Sequence, residues 1–210
     1  MTQDIVAQTR EASKNAIRVV YYVMIGIAIT ESLNRTFFGG GVFLGFQVFE
    51  NEHLYSTMLF FAFIPTICRF VHGASIHIDV HIERISEKRG KALIDLSGFF
   101  IQGAFFYLMA TSLGKPVDFS SILGLMLLFD VLWILALRIF GYIELTKTKK
   151  QWLKSDGALI ILLIILYRID PNFTWIWSSF FILIAAWIAA IFDYAINKDF
   201  YFPSQQTESP

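Results

Sequence analysis

The sequence predicts an all-α fold: a polytopic integral membrane bundle of about six transmembrane helices, with both termini in the cytosol and no separate soluble domain. Three observations carry that prediction. The 210 residues are 56% hydrophobic and 16% charged, where a soluble domain is nearer ~45–50% and ~25%. The apolar residues fall in blocks close to bilayer length, which a soluble core has no use for. The basic residues alternate from loop to loop. Under a six-span reading, fourteen of the 17 lysines and arginines face the cytosol, and only Arg35, Lys115 and Arg168 remain outside, as the positive-inside rule requires.

The elements follow in order. Residues 1–15 are polar and read as a cytosolic tail. They lack the basic, apolar and small-residue order of a signal peptide, so the first span is expected to stay as an anchor. That span covers residues 17–33, at the lower limit for crossing, and carries Glu31 near its far end. Residues 34–53 contain three consecutive glycines and five phenylalanines. They read as an interfacial segment, with a re-entrant loop as the alternative.

The second span, 54–71, contains Pro65, so a kink or break is expected there. Residues 72–91 read as a loop. The third span is 92–113, with Asp95, Gly98 and Gln102 on one helical face. After a turn at 114–120 the fourth span runs over 121–142, and a basic loop covers 143–156. The fifth span, 153–169, barely crosses and ends at Asp170-Pro171-Asn172. The last, 173–195, has Trp175, Trp177 and Tyr194 as interface anchors. Its Ala185/Ala189 and Ala186/Ala190 pairs offer a small-residue face to another helix. Residues 197–210 form a second cytosolic tail.

Ionisable residues inside spans are costly and need partners. Depth alone suggests the pairs Arg69–Asp95, Arg138–Asp193 and Glu31–Arg168. The first four of these residues, Arg69, Asp95, Arg138 and Asp193, are the gating or ion-pair candidates. Asp130 lies near the middle of its span with no basic residue at its depth, and insertion of such a group costs about 3 kcal/mol. It is the leading pore or transport candidate, with Gln102 and Asp95 beside it.

Three of the four histidines, His72, His77 and His81, fall within ten residues. Read with period 2, 75–83 alternates as a strand; read as a helix, His77 and His81 are i, i+4 neighbours. No partner strand is visible, so a short interfacial helix is expected. Divalent metal at His72, His77 and His81, with Asp79 or Glu83, is the only cofactor option the chain leaves open. No established metal motif is present, and four histidines cannot supply the several histidine boxes of a membrane desaturase. The single cysteine, Cys68, excludes a disulfide framework and reads as a small buried hydrophobe.

These features point to a channel- or transporter-like component of a cell membrane that oligomerises or works with a partner. The alternatives are an anchor or sensor subunit of a larger complex, and a metal-dependent membrane enzyme acting on lipid. The lysines at 147–154 suit anionic headgroups. A net charge of zero gives no reason to expect direct nucleic-acid binding.

Overall fold

A computed structural model of the chain describes residues 2–39, 41–82, 90–141, 143–174 and 176–202, with only the backbone for 2–7, 9, 10, 39, 51, 52, 79–82, 90–93, 95, 199 and 200. Six long helices dominate it: α1 Thr2–Phe37, α2 Asn51–Ile82, α3 Gly90–Thr111, α4 Pro116–Ile139, α5 Lys147–Ile169 and α6 Ile176–Ile196. A final turn, α7 Lys198–Tyr201, follows. Between α1 and α2 lie a minimal hairpin, β1 Phe38–Gly39 with β2 Val42–Phe43, and a 3-10 turn at Gly45–Phe49.

Local chemistry fixes several of the helix boundaries. Thr146 caps α5 by accepting the Lys149 N–H. Pro116 opens α4, where its missing N–H is harmless, and Asp118 in the first turn faces the positive end of the helix dipole. Asp170 closes the turn after α5, accepting from the Thr174 N–H and hydroxyl and from the Ser178 hydroxyl.

The helices pack as a ring in the order α1, α3, α4, α5, α6, α2, with α2 also reaching α3 and α4. Of the apolar stretch of α2, 61% is buried, against 28–33% for those of α1, α4 and α6. This makes α2 the central helix. Polar and charged groups are enclosed within an apolar core, and large apolar side chains cover the outside. Arg69, Gln102, Asp130, Asp156 and Asp193 are buried, while Val23, Ile27, Leu128, Leu132, Ile164, Ile188 and Ile191 face outward. Apolar surface on this scale is unfavourable in water and favourable in hydrocarbon. Four helices are long and apolar enough to cross a membrane, Glu11–Phe37, His53–Ile78, Pro116–Ile139 and Ile176–Ile196, and they associate the chain with a membrane. The apolar part of α3, Leu96–Thr111, is shorter, and α5 begins with a basic turn.

Several expectations are corrected. The loop placed at 72–91 is helix as far as Ile82, because Ile78 is fully buried against Ile17, Leu96 and Phe99 and so holds the extension in place. The helical reading of the histidine segment therefore prevails over the strand; Glu83 and the basic residues up to 89 lie outside the described residues. No break occurs at Pro65, where the buried neighbours Phe63, Thr66 and Ile67 hold the helix together. The basic loop at 143–156 shrinks, since α5 starts at Lys147, and the turn at 114–120 shrinks as α4 starts at Pro116. In segment 34–53, Phe38, Phe43, Phe46 and Phe49 are exposed, whereas Phe37 packs on Phe60. Ala186, Ala189 and Ala190 are buried, so the small-residue face of α6 is used inside the chain, where α6 packs chiefly on α2. Cys68 is exposed on the outward side of α2 instead of buried.

Because Cys68 is the single cysteine, a nitroxide attached to it in liposomes should relax strongly with oxygen and weakly with a water-soluble nickel chelate. Power-saturation EPR measures both.

Candidate functional site

Arg69, midway along α2, is 2% exposed. An unpaired guanidinium in such a place is prohibitively costly, and two helices supply its counter-ions. Its Nη2 donates to Asp156 Oδ1 on α5 at 2.6 Å, and its Nε to Asp193 Oδ2 on α6 at 3.1 Å. The guanidinium plane also stacks near Trp152, 4.9 Å from the ring centroid, and near Phe70 at 5.4 Å. A rigid planar fork can meet two carboxylates and two rings at once, which a lysine cannot.

Asp193 is fully engaged. Besides Arg69 it accepts from the Tyr201 hydroxyl at 2.6 Å and from Asn197 Nδ2 at 2.7 Å. The Tyr201 hydroxyl in turn accepts from Trp152 Nε1 at 3.0 Å, so the short α7 is tied back onto the bundle. Burial, then the hydrogen bond and charge of Asp193, push the Tyr201 phenol far above its ordinary range.

Asp156 has a second neighbour. Its carboxyl lies against that of Asp130 on α4. Ionised carboxylates only accept, so a carboxyl-to-carboxyl bond requires a proton on one of the two. The Oδ2 atoms of both residues take no hydrogen bond from an N–H or hydroxyl among the described residues, as a pair bridged by its own proton would. One guanidinium faces three carboxyls, so the cluster has acid in excess even where a proton bridges one pair.

Beside Asp130 lies a cavity of about 120 Å³ between α2, α3, α4 and α5. Asp130, Gln102 and His77 supply polar groups. Phe99, Phe129, Trp133 and Trp152 form aromatic walls, and the partly exposed Thr148 and Lys149 stand where it meets the surface. Gln102 is held by Tyr21 of α1, whose hydroxyl donates to Oε1 at 2.7 Å. Two glycines shape the walls. A Cβ on Gly73 would come within 2.4 Å of the Trp152 ring, and one on Gly98 within 2.6 Å of Trp133. Toward the start of α4, on the N-terminal side of the cavity-lining residues of that helix, Phe119, Met126 and Leu127 are buried in one apolar cluster with Phe106 and Met109.

The structure brings together Asp130 and Gln102, both expected at a transport site, and Arg69 with Asp193, both expected in ion pairs. The pairings differ from those read by depth. Arg69 takes Asp156 and Asp193; Glu31 binds Arg35 on its own helix at 2.6 Å; Arg138 and Arg168 are exposed in the last turns of α4 and α5. The Asp95 side chain lies outside the described residues. Depth matching failed because it compares levels and ignores which helices are neighbours. Asp156 was missed because it was placed in a loop. Starting the fifth helix at the Thr146 cap would have put it nine residues in, level with Asp130 on an antiparallel neighbour.

The histidines are separated. His72 packs on Tyr201, Tyr194 and Phe202, whereas His77 packs on Phe99, and the His81 side chain is not described. Among the described residues no group of three or more His, Cys, Asp or Glu is placed to hold a metal ion.

Replacing Arg69 by leucine should cost about 3–5 kcal/mol, the penalty for stranding buried carboxylates, and should lower the unfolding temperature in detergent far more than Arg138→Leu. By the same measurement Gly73→Ala should cost about 1–3 kcal/mol, because the Trp152 ring, hydrogen-bonded and stacked, has little room to yield.

Comparison with protein-family models, with curated proteins and with solved structures finds no match to this chain.

Proposed function

We propose that the chain is a transporter-like component of a cell membrane, in which the Asp130–Asp156 pair loads and releases a proton or other small cation. One observation carries this reading: a buried carboxyl pair, part of a cluster of three carboxyls around a single guanidinium, lies at the wall of a cavity inside a helical bundle. Uncompensated charge in a low-dielectric interior costs several kcal/mol, so a second proton or a cation from the cavity relieves it. Arg69 and Asp193 hold the pair in place, and Asp130 is its cavity-facing member.

The same reading takes six helices as spanning and both termini as cytosolic. The 22 and 23 residues of α3 and α5 reach about 33–35 Å at 1.5 Å per residue, enough for the hydrocarbon core of ~30 Å. The cavity then meets the cytosolic face at the lysine-rich start of α5, a surface suited to anionic headgroups. Toward the start of α4 lies the buried apolar cluster, which favours a one-sided, gated site over an open pore. Completing the path across the membrane calls for rearrangement of the bundle or for a second copy or partner.

Purified protein in liposomes should dissipate an imposed proton gradient, read with an internal pH-sensitive dye. Asp130→Asn, which keeps the shape and removes the charge, should lower the rate at least tenfold. Flux equal in the two proteins, or no flux in the wild type, would sink the reading.

A further inference from the structure

We propose that the cavity beside Asp130 binds a small monoamine with an apolar body, its ammonium at the Asp130 carboxyl and its body between the aromatic walls. As a statement about cargo this rests on the transport reading above; as a statement about binding it stands on the geometry of the cavity.

Size sets the first limit. The cavity is about 120 Å³, and a protein cavity of ~150 Å³ lined by apolar side chains accommodates benzene. The occupant is therefore of the order of one six-membered ring or a short branched chain. The walls set the second. Phe99, Phe129, Trp133 and Trp152 supply aromatic lining, with Phe129 and Trp133 stacked at 5.8 Å and 29°. Such surfaces accept a hydrocarbon body, and their faces attract a cation. Gly73 and Gly98 let the two tryptophan rings approach α2 and α3 closely.

Charge sets the third limit. Asp130 is 6% exposed, and with Asp156, Asp193 and Arg69 it belongs to a cluster of three carboxyls and one guanidinium, so an anionic group is repelled from that end. Among the described residues, the other titratable or charged groups facing the cavity are His77 on α2 and Lys149 on α5. Lys149 and Asp156 are seven residues apart on α5, about 10 Å at 1.5 Å per residue. An ammonium at Asp130 thus stays clear of Lys149, whereas a second ammonium at the far end of the same ligand would meet it. One positive charge is favoured over two.

Calorimetric titration of the full chain in detergent at pH 7 tests this with cyclohexylamine, cyclohexanol and 1,4-diaminocyclohexane. Saturable binding of cyclohexylamine is expected, at least tenfold tighter than either of the other two. Asp130→Asn should weaken the amine at least tenfold and leave cyclohexanol unchanged. Equal affinity for amine and alcohol in the wild type, or no binding of the amine, overturns the proposal whether or not the variant folds. Proton flux without amine binding rejects this inference alone. Amine binding without flux rejects transport and keeps the site.

Discussion

The bundle depends on the burial of one guanidinium. Arg69 sits on the most enclosed helix and reaches carboxylates on α5 and α6, so three helices are positioned by one planar group. Buried ion pairs are seldom a net source of stability, because desolvation offsets the Coulomb gain. Their contribution is specificity: with Arg69 in the interior, any packing that moves Asp156 or Asp193 away leaves a charge unpaired. Trp152 stacks on the guanidinium and ties α7 through Tyr201, so the same constraint extends to the end of the chain.

From that anchor the candidate site follows. Arg69 holds Asp156, Asp156 holds Asp130, and Asp130 faces the cavity. The third carboxyl is the element that a purely structural triad does not need. Two carboxyls already exceed one arginine in charge; adding Asp130 raises the excess and favours a proton or another cation beside it. The cavity gives that proton, or a competing cation, somewhere to come from. Tyr21 and Gln102 extend the polar line toward α1, so each of the six long helices contributes at least one buried polar group to the interior.

Much of the fold was legible in the sequence because hydrocarbon imposes a one-dimensional rule. Backbone groups in lipid must be satisfied within the segment, so apolar blocks of bilayer length become helices, as they do here. Helix limits were less legible. The extension of α2 to Ile82 rests on contacts between Ile78, Ile17 and Phe99, residues distant in sequence. Likewise, α5 begins at a threonine cap inside a stretch whose lysines suggested a loop. Asp130 stood out because a central carboxylate without a partner at its depth is rare and costly.

By itself the sequence determined that the chain is helical and membrane-associated, that Asp130 is a carboxyl deep in a span without a partner at its depth, and that Arg69 needs a carboxylate. Composition and periodicity suffice for these, since each depends on one helix and its solvent. Which carboxylate meets Arg69, that Asp130 lies against Asp156, and that two glycines admit two tryptophans to form a cavity were decided by tertiary structure alone. Those facts depend on the order of helices around the ring, and that order is set by many side-chain contacts between segments that the linear sequence keeps apart.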